Sequence, residues 1–245
     1  MTVSEKKYGF TEETKEWKGH ILHQIVAIKS FGNIKAGTVG GWIEREQNLS
    51  QEGNCWVGDN AKVWGNASVR DDAIVADFAK VYDYAEISDK ALVYADAKVY
   101  GQAKVYDTAL VHGQSAIYDL AEVRGKAEVY GDLVKVFGNA KIYGHAKVYH
   151  YSKVYGMAQV YGEAEVFNRA AVYGWARVYE LAKIYGDAKI YGRAEIYGEA
   201  RVFENAMVFD DAFVFDTAKV HKYARVFYDA RVFHDEDVAK TIFGR

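Results

Sequence analysis

Proline is absent from all 245 residues, and cysteine occurs once, at Cys55. A chain without proline keeps every backbone N–H available, as continuous hydrogen-bonded ladders require. A single cysteine excludes an internal disulfide, and together with seven scattered histidines it offers no metal-ligand spacing. We expect no metal and no cofactor. Charge of one sign is also lacking: 31 basic residues face 34 acidic ones, a formal net charge of -3. That excludes a global field drawing the chain to nucleic acid or to anionic lipid, so any such attraction must be local. No apolar run is long enough to span a membrane, and MTVSEKKYGF has no apolar signal stretch. The expectation is a cytoplasmic protein that does not engage membrane.

What is present is a period of six. Val or Ile recurs at every sixth residue from Val57 to Val129 and again from Val136 to Val232, thirty times in all. Two residues before each lies a small residue, Ala in 26 cases, with Cys55, Ser115, Val134 and Ser152 as the exceptions. In a short strand, alternation sends the Ala and the Val to one face and their neighbours to the other. The Gly, Asp and Asn that follow tolerate positive φ, so the chain is expected to turn a corner after each strand. The one irregular step, GDLVKV, carries an extra residue, Asp132 or Leu133, which must bulge at a corner.

Units such as VYGNAK and IYGDAK resemble the hexapeptide-repeat family. That resemblance implies an all-β fold: a single-stranded left-handed parallel β-helix with three sides, one hexad to each side, and about ten coils. We expect a capping segment over residues 1–56, the β-helix over 57–234 and a C-terminal tail over 235–245. In the cap, TEETKEWKG is read as a helical turn, and HILHQIVAIKSFGNIKAGTVGGWIE as a strand, a Gly-Asn turn and a second extended stretch. The stretch QIVAIKSFGNIKAGTVGGWIEREQNLSQEGNCWVGDNAKV is similar to the entry segment of YdcK-like proteins, a bacterial and phage group often labelled acyltransferases.

The residue after each Val or Ile points outward and is aromatic in 23 of 30 cases. Taking every third hexad places Trp64, Tyr82, Tyr100, Tyr118, Phe137, Tyr155, Tyr173, Tyr191, Phe209 and Phe227 in one column. Beside them stands a basic column that includes Lys62, Lys80, Lys98, Lys135, Lys153 and Lys189. We call this the lysine face. Basic residues beside aromatic rings are how single-strand binders hold nucleic acid, which makes this face the candidate for a nucleotide, a nucleic acid or another anionic ligand. The bland alternative is lysine stems lying over tyrosines with their ammonium groups in water.

A second face mixes signs (Ser68, Glu86, Lys104, Glu122, Lys141). The third face opens on an apolar strip, Trp56, Ile74, Leu92 and Leu110, and the C-terminal coils are rich in Phe, including Phe213, Phe215 and Phe233. Exposed apolar strips on a single chain are expected to be covered, so these residues are candidate contacts of a homo-oligomer or a protein partner. Family acyltransferases would need a general-base histidine beside coenzyme A. The best candidates, His145 and His150 in GHAKVYHYS, sit at corner positions that accept any polar residue. The leading expectation is therefore a non-catalytic interaction scaffold, with a coenzyme A-dependent acyltransferase as the alternative.

Overall fold

The computed structural model describes residues 6–244. It is a parallel β-solenoid in which each two- or three-residue strand pairs with the strand three hexads away, for example Lys98 with Lys80 and Lys104 with Glu122. The three sides form sheets of 14, 11 and 10 strands, so the stack has about 11 turns. Among the described residues there is no α-helix, and no helix is long and apolar enough to cross a membrane.

The interior follows from the alternation. The Val and Ile column and the Ala column are almost wholly buried along the stack, with no aromatic side chain between them. Corners form because the first residue of each turn adopts a left-handed conformation, as at Asp59, Asp77 and Asp83 (φ 52–59°) and Gly101 (φ 68°). Aspartate is useful there for a second reason. The carboxylate of Asp59 accepts from the backbone N–H of Asp77, that of Asp77 from Ala95, and that of Asp83 from Gly101. Each such side chain satisfies a donor that the turn leaves outside the ladder.

The extra residue is absorbed at the corner Gly131-Asp132-Leu133, where Leu133 has φ 50°. Pairing across it is kept, Ala116 with Lys135 and Ile117 with Val136. Its effect extends over the next two coils. At His150-Tyr151 and at Asn168-Arg169 both corner residues have positive φ, and Tyr151 and Arg169 donate back to the coil before them, to the carbonyls of Asp132 and His150. By Asp187 the ordinary donation to the following coil returns. Three of the four exceptions to the Ala column, Ser115, Val134 and Ser152, occupy the lysine-face sheet beside this site. Ser115 finds carbonyl acceptors on His112 and Val129, whereas the buried Ser152 hydroxyl has no partner among the described residues. A buried hydroxyl without a partner costs about 1–3 kcal/mol. Ser152→Ala is therefore expected to stabilise the fold by about 1 kcal/mol, read as a higher denaturant midpoint at unchanged m-value.

The N-terminal end is closed by three strands, β1 (Tyr8–Trp17), β2 (His20–Ala27) and β3 (Val39–Ile43). β1 and β2 form an antiparallel hairpin, β2 pairs antiparallel with β3, and β3 enters the solenoid by pairing parallel with Lys62–Val63. The turn at Gly32-Asn33 lies inside a Phe31–Ile34 bridge, as the sequence suggests. TEETKEWKG does not make a helical turn: residues 11–17 are strand, because a nine-residue helix is marginal alone whereas pairing with β2 satisfies this backbone. The buried Tyr8 hydroxyl donates to the Leu49 carbonyl at 2.7 Å. Lys7, also buried, donates to the carbonyls of Glu52, Gly53 and Cys55 at 3.0–3.3 Å. Both side chains satisfy acceptors at the end of the stack.

Hydrogen bonding does not break at residue 56/57 or at 234/235. Leu49 already bridges Val69, and Asp237–Val238 and Ile242–Phe243 continue two of the sheets.

Candidate functional site: the lysine face

On the lysine face, ten rings from Trp64 to Phe227 stack without a gap, with centroids 4.5–5.1 Å apart and planes within 6° of parallel. Coil spacing sets the ring spacing, which suits offset stacking worth roughly 0.5–1.5 kcal/mol per pair. The other faces carry ladders too, from Tyr94 to His221 and from Tyr143 to Phe233. Stacked rings alone therefore do not single out a site.

Polar chemistry does. On the mixed face, Lys104 pairs with Glu86 (3.3 Å), Lys141 with Glu122 (3.5 Å) and Arg177 with Glu195 (3.3 Å). The third face pairs Lys183 with Glu165 at 2.8 Å. Some tyrosine hydroxyls on these faces donate to the same carboxylates, Tyr149 to Glu165 (2.7 Å) and Tyr179 to Glu195 (3.1 Å). On the lysine face the register places like beside like, Lys80 with Lys98 and Lys135 with Lys153. Lys98, Lys135, Lys153 and Lys189 are exposed and form no ion pair among the described residues. Nor do the hydroxyls of Tyr100, Tyr118, Tyr155, Tyr173 and Tyr191 bond to protein there. Two like charges one coil apart repel by about 1 kcal/mol in water, and only the nearby Asp96 carboxylate acts against this, at Lys80. The face is a double row of donors with no carboxylate among them.

One end of the face is closed. Lys62 is only 7% exposed, with its ammonium 4.7 Å from the Trp17 ring and donating to the Asn60 carbonyl. Trp64 is buried with Leu22 and Trp42. Lys80 is half-buried and donates to the Phe78 carbonyl, so the open face starts at Lys98 and Tyr100. Burial, reinforced by neighbouring lysines and opposed at Lys80 by Asp96, holds the ammonium groups of Lys62 and Lys80 below their usual range.

Burial and the adjacent rings push the hydroxyls of Tyr82 and Tyr173 up to about 12. A raised folded-state value means that the folded chain keeps protons the unfolded chain loses. This contribution is whole below about pH 10, the ordinary tyrosine value, and disappears as pH rises toward 12. We expect stability to fall steeply between those limits. The check is whether tyrosinate absorbance and loss of β circular dichroism rise together.

The other candidates are dispersed. His145 lies on the corner between the mixed and third faces and His150 on the corner between the third and lysine faces, with the strand Lys147–Tyr149 between them. His112 and His221 serve as ladder rungs. Trp56 is covered by Phe31 at 5.6 Å, Ile74 is 37% exposed, and Leu92 and Leu110 are half-buried. Phe215 and Phe233 stack on each other, and Phe213 lies beneath Arg231. Among the described residues no cluster of three or more His, Cys, Asp or Glu could hold a metal ion.

Repeat and fold together fit a hexapeptide-repeat β-solenoid. No family model matches the chain. Over 66 residues it is 42% identical to the uncharacterized acetyltransferase YdcK of Escherichia coli strain K12, a match spanning 24% of this chain and 20% of that relative. The chain thus shares a fifth of the relative's length.

Proposed function

We propose that this chain is a non-catalytic binding scaffold whose lysine face holds an anionic partner. The observation that carries the reading is the contrast between faces: carboxylates pair with several of the cations on two sides, whereas on the third no lysine from Lys98 to Lys189 forms an ion pair among the described residues. A rigid scaffold of this kind presents its donors with no backbone ordering cost. Poly-L-glutamate is the direct probe. Binding should weaken linearly in log Kd against log salt, because each contact made by a lysine releases counterions. A salt-independent Kd would refute an electrostatic face.

A second reading, acetyl transfer, is favoured by the name of the relative. It requires a cofactor and a general base that converge. An enzyme of this class should be stabilised by coenzyme A, by about 2.7 kcal/mol at a hundredfold excess over Kd. A thermal shift with coenzyme A and none with poly-L-glutamate would decide for it.

A further inference from the structure

The lysine face differs from the others at its borders as well. Ten large apolar side chains stand exposed at corners among the described residues, and nine of them flank this face. Phe78, Leu133, Tyr151 and Tyr223 line one border. Tyr84, Leu120, Met157, Trp175 and Tyr228 line the other. The corner opposite, between the mixed and third faces, has only Leu181. A cationic stripe with two apolar margins is the inverse of an ordinary solvated face. Where the lysine column is interrupted the apolar surface crosses it, as Ala116-Tyr118-Leu120 and Ala171-Tyr173-Trp175.

The geometry also bears on which anion fits. Sequence-tolerant binding of single-stranded nucleic acid uses open ring faces on which bases stack. Here each ring of the column has both faces covered by its neighbours. The Trp64 end lies under the hairpin, and the Phe227 end meets Tyr228 at 4.8 Å and Phe243 at 6.0 Å. Only ring edges and hydroxyls reach the surface. A second copy of this face would set lysine against lysine.

We infer that the lysine face from Lys98 to Lys189, with the apolar corners Leu133 and Tyr151 on one side and Leu120, Met157 and Trp175 on the other, is a docking surface for an acidic protein segment that carries apolar side chains among its carboxylates. The inference rests on the reading of this face as an anion-binding surface and narrows it. Carboxylates accept from the lysines and tyrosine hydroxyls, and apolar side chains cover the borders, where a nucleic acid would leave them bare.

The test compares three probes on the full chain: poly-L-glutamate, a random glutamate-tyrosine copolymer, and oligothymidylate, at matched charge and salt. The copolymer should bind at least tenfold more tightly than poly-L-glutamate. Leu120→Ser, Met157→Ser and Trp175→Ser together should reduce that advantage to within about twofold and leave poly-L-glutamate binding unchanged. Leu181→Ser, on the opposite corner, should preserve the advantage and serves as the control for fold. Equal affinity for the two polypeptides, or tighter binding of oligothymidylate, overturns the protein partner while the anion-binding reading stands. If none of the three probes binds, both fall.

Discussion

Ala188→Leu is expected to lower the unfolding free energy by about 1–3 kcal/mol, and Ala164→Leu by a similar amount. Both alanines are fully buried in the narrow interior. Their coils are held to their neighbours by backbone hydrogen bonds on each side, such as Lys189 to Ala206 at 3.0 Å and Ala171 to Ala188 at 2.9 Å. Three added carbons cannot be accommodated by spreading the stack without breaking that ladder. The strain must go into off-rotamer side chains or into widening the coil. Denaturant titration decides the matter. If either variant unfolds like the parent, the assignment of inside and outside is mistaken.

Charge reversal on the open face should have the largest effect on binding. Changing Lys98, Lys135 and Lys153 together to Glu replaces three exposed cations with three anions that face solvent. No described ion pair is lost, so the melting temperature should move by no more than a few degrees. Poly-L-glutamate affinity should fall at least a hundredfold, through loss of attraction and gain of repulsion. Reversing Lys104, Lys141 and Lys183, which already pair with Glu86, Glu122 and Glu165, should leave affinity within about twofold. If the two triple variants behave alike, the lysine column is an ordinary solvated face.

Much of this is legible in the sequence because a repeat makes local pattern and global fold the same thing. The spacing of six assigns inside and outside, and stepping by three hexads from Trp64 to Tyr82 and Tyr100 gives the ring column. The lysine column and the mixed-sign column are visible in the same way. What the repeat does not convey is whatever happens once. The burial of Lys62 and Trp64 depends on how the β1–β2 hairpin docks, a tertiary contact with no periodic signature. TEETKEWKG reads as helical because local propensity is ambiguous over so few residues, and strand pairing decides it. The apolar borders escape the sequence for a simpler reason. Corner positions read as places that accept any polar residue, so Leu120, Met157 and Trp175 carry no signal until the two corners beside one face are compared with the third.

The corner at Gly131-Asp132-Leu133 has a bearing on how the chain finds its alignment. Successive coils are nearly interchangeable, so a strand could pair one coil too early or too late and still bury Val on Val. A misplacement of that kind would set the three-residue corner against a corner other than His150-Tyr151, whose two positive φ angles match it. It would also strand Val134 and Ser152 among alanines that do not match them, and would break the reversed donation from Tyr151 to Asp132. The irregularity therefore works as a landmark in an otherwise uniform ruler, giving the polypeptide one frame in which every coil agrees.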